Sequence, residues 1–321
     1  EDAAIREGFT HLKPGADYDD LYQSALCRAQ ADWLVGINAT RLFSILYHKT
    51  LTVGRVQTPT LNMLVDREAK ISNFKKEKYH VVHIAAGGME AASDRFLNPD
   101  DADATKTACA GVQAVCVSVK REKKTEQPPR LYDLTTLQKE ANSQHGFTAE
   151  HTLSIAQKLY EAKFITYPRT SSRYISDDVF ATLPKLFKNL ENHSEYGEKV
   201  KLLPGSEDYS KNSVNAAKVT DHHALLITEN AAIGLFKDEK IVYDMILCRM
   251  IEAFSADCIK DITSVTAQVD HDVEFGISGS IIRQTGWRAL SLKEKNNKQD
   301  KDADATDNEV KEQVIPNWQE G

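Results

Sequence analysis

Two stretches rich in β-branched residues, separated by a long helix-patterned interval, constrain this chain more than any other feature. The first holds Tyr79-His80-Val81-Val82-His83-Ile84 and the run Val112 to Val119, in which Val115, Val117 and Val119 alternate with Cys116, Ser118 and Lys120. The second covers residues 262–283, with Ile262 to Val269, Val273 to Ile277 and Ile281-Ile282. Such runs read as strands. Between them, Leu134, Leu137 and Ala141 fit one helix face behind an Asp133 N-cap. Leu153, Ala156, Leu159 and Tyr160 fit another behind Thr148, and Ile241, Met245, Cys248 and Ile251 fit a third. Strands that resume after so long a helical interval predict an α+β chain, a helical domain inserted into a β domain, rather than a repeating βαβ fold.

The segment before residue 78 is also patterned as helix. Leu26, Ala29, Trp33, Leu34 and Ile37 recur at helical spacing, interrupted weakly by Gly36 and Asn38. Leu61, Leu64, Val65 and Ala69 follow Pro59, a residue suited to a helix start. The acidic, Ala/Asp-rich stretch between the first two strands reads as a loop. Residues 121–130 carry four bases and two prolines, which fits a solvated linker and hinge or a stretch lining a DNA path. Residues 291–312, rich in Lys, Asp and Asn without periodicity, read as a linker before Ile315-Pro316-Asn317-Trp318 turns apolar again. With no Met at its start and this apolar turn at its end, the chain reads as a piece of something longer.

A chain of 321 residues has room for about two domains. Its apolar runs are far too short for a membrane span, which needs about 20 residues. Five cysteines, an odd number with no CxxC pair, argue against a disulfide framework or zinc cluster and for a reducing, cytoplasmic setting. The net charge of −7 is carried by two stretches, 89–104 and 294–312, so the rest of the chain is neutral overall. A neutral body can still present a local basic groove to nucleic acid.

Three segments carry residues suited to phosphate chemistry. In Ile165-Thr166-Tyr167-Pro168-Arg169-Thr170, Pro168 disfavours helix at Tyr167, and an extended run puts Tyr167 and Arg169 on one face. A phenol is a poor nucleophile at its usual pKa of about 10. A nearby guanidinium favours the phenolate and can bind the phosphate it attacks. Thr170 adds a donor. The same residues also fit a turn with a packed Tyr and a surface Arg. Lys218-Val219-Thr220-Asp221-His222-His223 offers one His as phosphate donor or proton carrier, or else a surface pair. Gly54-Arg55-Val56-Gln57-Thr58-Pro59 places phosphate and sugar donors at a helix start.

In order along the chain, Ala31-Asp32-Trp33-Leu34-Val35-Gly36-Ile37-Asn38-Ala39-Thr40-Arg41, the Gly54–Pro59 block, Pro128-Pro129-Arg130-Leu131-Tyr132-Asp133-Leu134 through Ala141-Asn142, the Ile165–Thr170 block and Val219-Thr220-Asp221-His222-His223-Ala224 resemble the type IA DNA topoisomerases, among them the bacterial topoisomerase III kind. The resemblance covers about residues 20–290. It implies that Tyr167 is the nucleophile on single-stranded DNA, giving a 5′-phosphotyrosine that is later resealed without ATP. It implies that Arg169 and His222 stabilise the reacting phosphate, and that Arg55, Gln57, Thr58, Arg41, Lys218 and Thr170 contact DNA.

The same resemblance implies a domain plan. Residues 1–77 would be a helical DNA-groove domain, with 78–127 and 259–290 the two parts of a β arch. Residues 128–258 would be an inserted, winged-helix-like helical domain carrying Tyr167, and 291–321 a charged linker returning to the first domain. The implied partners are single-stranded, negatively supercoiled or catenated DNA in the bacterial nucleoid, with no membrane; protein partners are not implied. The implied cofactor is Mg²⁺, held by a Toprim domain that nothing before Ala31 supplies. No metal ligands are expected in this chain; Asp101-Ala102-Asp103 and Asp302-Ala303-Asp304 are rejected as presumed loops. A chain without that domain also fits a single-stranded DNA-binding scaffold inactive by itself. The family's Pro-Thr step after the paired His is replaced by Leu226-Ile227-Thr228. A tyrosine recombinase or a relaxase fits poorly, because the required Arg and His order is missing.

Overall fold

The helical pattern of the first residues becomes three helices in the computed structural model: α1 (Asp2–Thr10), α2 (Asp19–Leu46) and α3 (Gln57–Ser72). The structure describes residues 2–86, 88–219, 221–230, 232–269, 273–290 and 313–321. They form two units, Glu1–Lys78 and Tyr79–Gly321. Within the first, Gly36 and Asn38 do not interrupt α2, which runs unbroken for 28 residues. Asn38 Nδ2 donates to Leu34 O at 2.7 Å.

Residues Asp32, Gly36, Thr40 and Ser44 recur every four positions, so they line one face of α2. The segment after the helix returns along that face. Leu51 N donates to Ser44 Oγ at 2.9 Å, and Val53 N donates to Thr40 Oγ1 at 3.0 Å. Arg55 Nε meets Asp32 Oδ2 at 2.8 Å. Of the apolar side chains that define the helical periodicity, Trp33, Leu34, Ile37, Leu61, Leu64 and Val65 are exposed. Periodicity reveals which side of a helix is apolar, not what covers it.

The second unit contains a five-stranded sheet in the order β1-β2-β5-β4-β3, with every neighbouring pair antiparallel. Its strands are β1 (His83–Ala86), β2 (Met89–Ser93), β3 (Ala114–Glu126), β4 (Cys258–Val269) and β5 (Val273–Gln284). Val82, Ala91, Val265, Val269, Phe275 and Ile277 form its core. Two expectations fail here. The acidic stretch expected to be a loop contains β2 and a helix, α4 (Pro99–Cys109), which begins at an Asn98 N-cap with Pro99 in its first turn. Asn98 Oδ1 accepts Asp100 N at 3.1 Å, and Ala102 and Cys109 are buried in the sheet core. Asp101 and Asp103 are therefore helical.

The basic run expected to be a linker is strand through Glu126. Arg121 to Glu126 pair one by one with Thr263 to Cys258 of β4. That pairing uses backbone groups alone, and a charged edge strand shows no apolar alternation.

Residues between the two halves of the sheet form α5 (Leu134–His145), α6 (Ala149–Glu161), α7 (Asp177–Leu190), a short α8 (Gly197–Val200) and α9 (Lys237–Phe254). Asp133 and Thr148 cap α5 and α6 as their sequence context predicts, accepting Thr136 N at 2.6 Å and His151 N at 3.1 Å. α9 is central: Val242, Ile246, Leu247, Met250 and Phe254 are fully enclosed by Leu137, Ala141, Ala156, Leu159 and Phe187. A second fixing point is a buried cluster in which Tyr132 Oη donates to Glu140 Oε2 and Arg249 Nη2 donates to both Glu140 oxygens at 2.7–2.8 Å.

Where the helical part meets the sheet, Glu126 is held by Lys260 Nζ at 3.1 Å and by Arg288 Nη2 at 3.0 Å, and its carbonyl accepts Trp287 Nε1 at 3.1 Å. Burial alone raises the Glu126 carboxyl. The Lys260 hydrogen bond and the Arg288 charge outweigh it, so the group titrates below its ordinary 4.5.

The linker expected over 291–312 lies outside the described residues, as do Asp302 and Asp304. Residues 313–321, the end of the stretch 291–321 expected as a charged linker, cross the sheet. Gln313 Nε2 donates to Ser278 O, Arg121 Nη2 donates to Asn317 Oδ1, and Gly321 N donates to Cys116 O. Ile315 and Trp318 pack on the sheet core, which explains the apolar turn. A Cβ on Gly279 would lie 2.4 Å from Gln313 O, so only glycine admits the crossing.

Gly279→Ala is expected to cost about 1–3 kcal/mol in urea unfolding and to red-shift tryptophan emission as Trp318 is released. Unchanged unfolding and emission would contradict this packing. The lowered Glu126 pKa contributes stability that is complete above about pH 4.5 and is lost as pH falls through the lowered value. Glu126→Gln should therefore melt earlier than the parent at neutral pH, with the gap closing in acid. A gap of constant size across that range would count against the ion cluster.

Candidate active site

The site is built on the end of α6. Phe164 N donates to Leu159 O at 2.9 Å and Lys163 N to Tyr160 O at 2.8 Å. This is the paired-bond helix stop that normally places glycine in a left-handed conformation. Here Lys163 takes it, with φ of 62°. A non-glycine residue holds such a backbone only where its surroundings insist. Lys163 O accepts both Thr228 Oγ1 and Asn230 Nδ2, which fixes the turn.

The chain then leaves the helix extended and runs beside the segment after the paired histidines. Ile165 pairs antiparallel with Ile227. Thr166 N donates to Leu226 O, while Thr166 Oγ1 accepts Leu226 N and donates to Ala224 O. Ile165 and Ile227 are buried, so Leu226-Ile227-Thr228 serves as a paired segment in the core.

Tyr167 emerges half-buried from this lacing. Its ring lies 4.4 Å from that of His222, centroid to centroid, and 5.4 Å edge-to-face from Tyr160. Pro168 and Thr170 are buried on either side of exposed Arg169. Thr170 Oγ1 donates to His222 O at 3.2 Å and accepts Ser172 N at 3.1 Å, and Thr170 O accepts Leu134 N. Ser172 Oγ lies 3.2 Å from Lys218 O. The irregular stretches 164–174, 218–219 and 221–228 are thereby joined through the hydroxyls of Thr166, Thr170 and Ser172.

The structure thus brings Tyr167 and His222 together. Arg169 makes no hydrogen bond, ion pair or ring contact among the described residues. Thr170 is committed to the backbone, and Thr220 lies outside the described residues. The neighbour missed by sequence reasoning is Tyr160. It was read as part of the α6 apolar face, and only the turn at Lys163 brings Tyr167 back against it. A second tyrosine in the same region is chemically different: Tyr132 is buried and bonded to Glu140, and burial pushes its phenol well above the ordinary value. Its carbonyl accepts Leu225 N at 2.9 Å, supporting the extended segment after His222.

In the first unit, Arg55, Gln57 and Thr58 line a concavity of about 520 Å³ with Asp32, Gly36 and Gly54. Thr58 Oγ1 accepts Gly54 N at 3.1 Å and Arg55 is paired with Asp32. Arg41 is exposed.

Among the described residues, no group of three or more His, Cys, Asp or Glu gathers where a metal ion could be held, and no helix is long and apolar enough to cross a membrane.

A family profile described as DNA topoisomerase matches residues 16–321. The chain is 37% identical over 330 residues to DNA topoisomerase 3 of Bacillus licheniformis, covering 100% of this chain and 44% of that protein. It is 38% identical over 318 residues to DNA topoisomerase 3 of Bacillus subtilis, covering 95% and 43%. The chain thus spans less than half the length of these relatives. A crystal structure of full-length topoisomerase I from Thermotoga maritima superposes with a TM-score of 0.69 at 25% identity, over 92% of this chain and 47% of that one.

Thr170→Val, which keeps the shape but removes the hydroxyl, is expected to cost about 1–3 kcal/mol in urea unfolding. Arg169→Ala should change stability by no more than about 0.5 kcal/mol. Equal losses for the two would contradict the roles seen here.

Proposed function

This chain belongs to the DNA topoisomerase family, and on that premise we propose that it is the strand-cleaving part of a type IA enzyme, with Tyr167 as nucleophile. The observation that carries this reading is the half-open Tyr167 ring packed against the His222 imidazole. The phenolic oxygen attacks a phosphodiester of single-stranded DNA. A tyrosine–phosphorus bond forms as the bond to the 3′ oxygen breaks, leaving a 5′-phosphotyrosine and a 3′-hydroxyl. One ester replaces another, so resealing by the 3′-hydroxyl needs no ATP.

Arg169, exposed and unpaired among the described residues, is free to meet the phosphate and stabilise its developing charge. His222 supplies a second donor. Arg55, Gln57, Thr58, Arg41 and Lys218 hold the strand through phosphate and sugar contacts. Thr170 acts differently from the expectation of a DNA contact: it positions His222 through its backbone. The strands form an arch that lets the cleaved gate open, and the whole enzyme relaxes or decatenates DNA in the nucleoid.

Mg²⁺ would supply further charge stabilisation in the whole enzyme. This chain's residues do not fit that ion: Asp101 and Asp103 sit on α4, and no third ligand joins them among the described residues. The same observation favours a second reading of the isolated chain, as a single-stranded DNA-binding scaffold that cleaves nothing by itself.

In the full-length parent enzyme, supplied with Mg²⁺ and negatively supercoiled DNA, Tyr167→Phe is expected to abolish both relaxation and the trapped covalent adduct. Relaxation retained by that variant, or a 3′-linked adduct in the parent, would overturn the assignment.

A further inference from the structure

We propose that Arg130 and Lys218, both resting on the ring of Tyr174, form a second phosphate subsite for the single strand, apart from the bond that Tyr167 attacks. The proposal rests on the reading of the chain as a single-stranded DNA binder and adds to it a place and a mode of contact. Arg130 Cζ lies 5.0 Å from the Tyr174 ring centroid and Lys218 Nζ lies 5.1 Å from it. Both cations are exposed, and neither has a carboxylate partner among the described residues.

Arg95 over Tyr79 and Lys211 over Phe180 also lack a carboxylate among the described residues, but each of those rings carries one cation. Three further cation–ring contacts in the same unit are ion-paired. Arg249 over Tyr132, Lys240 over Tyr196 and Arg288 over Trp287 each also have a carboxylate: Glu140, Asp244 and Glu126 respectively. There the ring supplements an ion pair. At Tyr174 the ring orders two cations and leaves both charges unneutralised. With each about 5 Å from one centroid, they are held at most about 10 Å apart. An anion between them relieves their repulsion.

The backbone beneath is fixed without using these side chains. Arg130 O accepts Arg173 Nη2 and Arg249 Nη1, each at 3.4 Å. Lys218 N donates to Asn215 O at 3.1 Å, and Ser172 Oγ sits against Lys218 O. Tyr174 N donates to Ser172 Oγ at 3.1 Å, and Tyr174 O accepts Ala224 N at 2.9 Å. Side chains held this way present their charge outward with little freedom left to lose on binding.

Guanidinium and ammonium groups together suit a phosphodiester, and they read the backbone rather than the base. Tyr174 lies seven residues beyond Tyr167 on one segment. The two can be no more than about 25 Å apart, within reach of one bound strand.

The test uses the 321-residue chain and a fluorescein-labelled single-stranded oligonucleotide, with anisotropy titrations over a series of salt concentrations. Arg130→Gln and Lys218→Gln should each reduce the steepness of log K against log salt by about 0.7, and together by about 1.4. Near 0.1 M salt this amounts to about 5-fold weaker binding for each and about 25-fold for both. Lys218→Arg should retain the parent slope. Lys185→Gln, an exposed lysine paired with Glu229, controls for net charge and should leave it unchanged. All substituted side chains are exposed, and thermal melts check the fold.

A double variant with the parent slope, or an equal fall for Lys185→Gln, overturns the subsite and leaves the Tyr167 reading standing. A parent chain that does not bind the oligonucleotide overturns both.

Discussion

The buried hydroxyl of Thr170, shared between His222 O and Ser172 N, is the contact on which the arrangement of the candidate site depends. Residues 164–174, 218–219 and 221–228 belong to no regular sheet, yet Ile165, Thr170, Ser172 and Ala224 to Ile227 are buried. Their backbone groups need partners, because a buried amide or carbonyl without one is costly. Thr166, Thr170 and Ser172 supply several of them from side chains, which lets the chain stay irregular and still be fixed. Irregularity is what leaves the Tyr167 ring half-open beside His222.

Charge is sorted in the same region by exposure. Arg249, nearly buried, is enclosed by Glu140 and Glu252, and Lys260 and Arg288 share Glu126. Burying a cation without such company would be far more costly than leaving it in water. Arg130, Arg169 and Lys218, which have no carboxylate partner among the described residues, are all exposed. The acidic excess behind the net charge of −7 lies in two stretches elsewhere in the sequence. Tyrosines are sorted as well: Tyr132 is sealed and bonded to a carboxylate, whereas Tyr167 is half-buried against the rings of Tyr160 and His222.

What could be read from sequence was what neighbouring residues decide. Asp133 and Thr148 cap their helices because a cap needs only the next few amides. The sheet segments and the helical interval were visible for the same reason, through periodicity. The end of β3 was not, since Arg121 to Glu126 become strand by pairing with β4, more than 130 residues away. α4 was hidden by its composition: its buried side is only Ala102 and Cys109. At the site, motif order pointed to Tyr167 and His222, which do meet. It could not show that Thr170 faces inward, that Arg169 stands clear of both rings, or that Tyr160 returns to Tyr167 around a left-handed lysine.

The chain passes between sheet and helical part after Glu126 and again before Cys258, and the end of β5 returns to the same place. A carboxylate flanked by two cations, with an indole bonded to its backbone, closes that corner. A flexible tether would let the sheet swing while the tyrosine stayed behind. This corner joins the sheet to the bundle that carries Tyr167 by ion pairs and an indole hydrogen bond as well as by the chain itself.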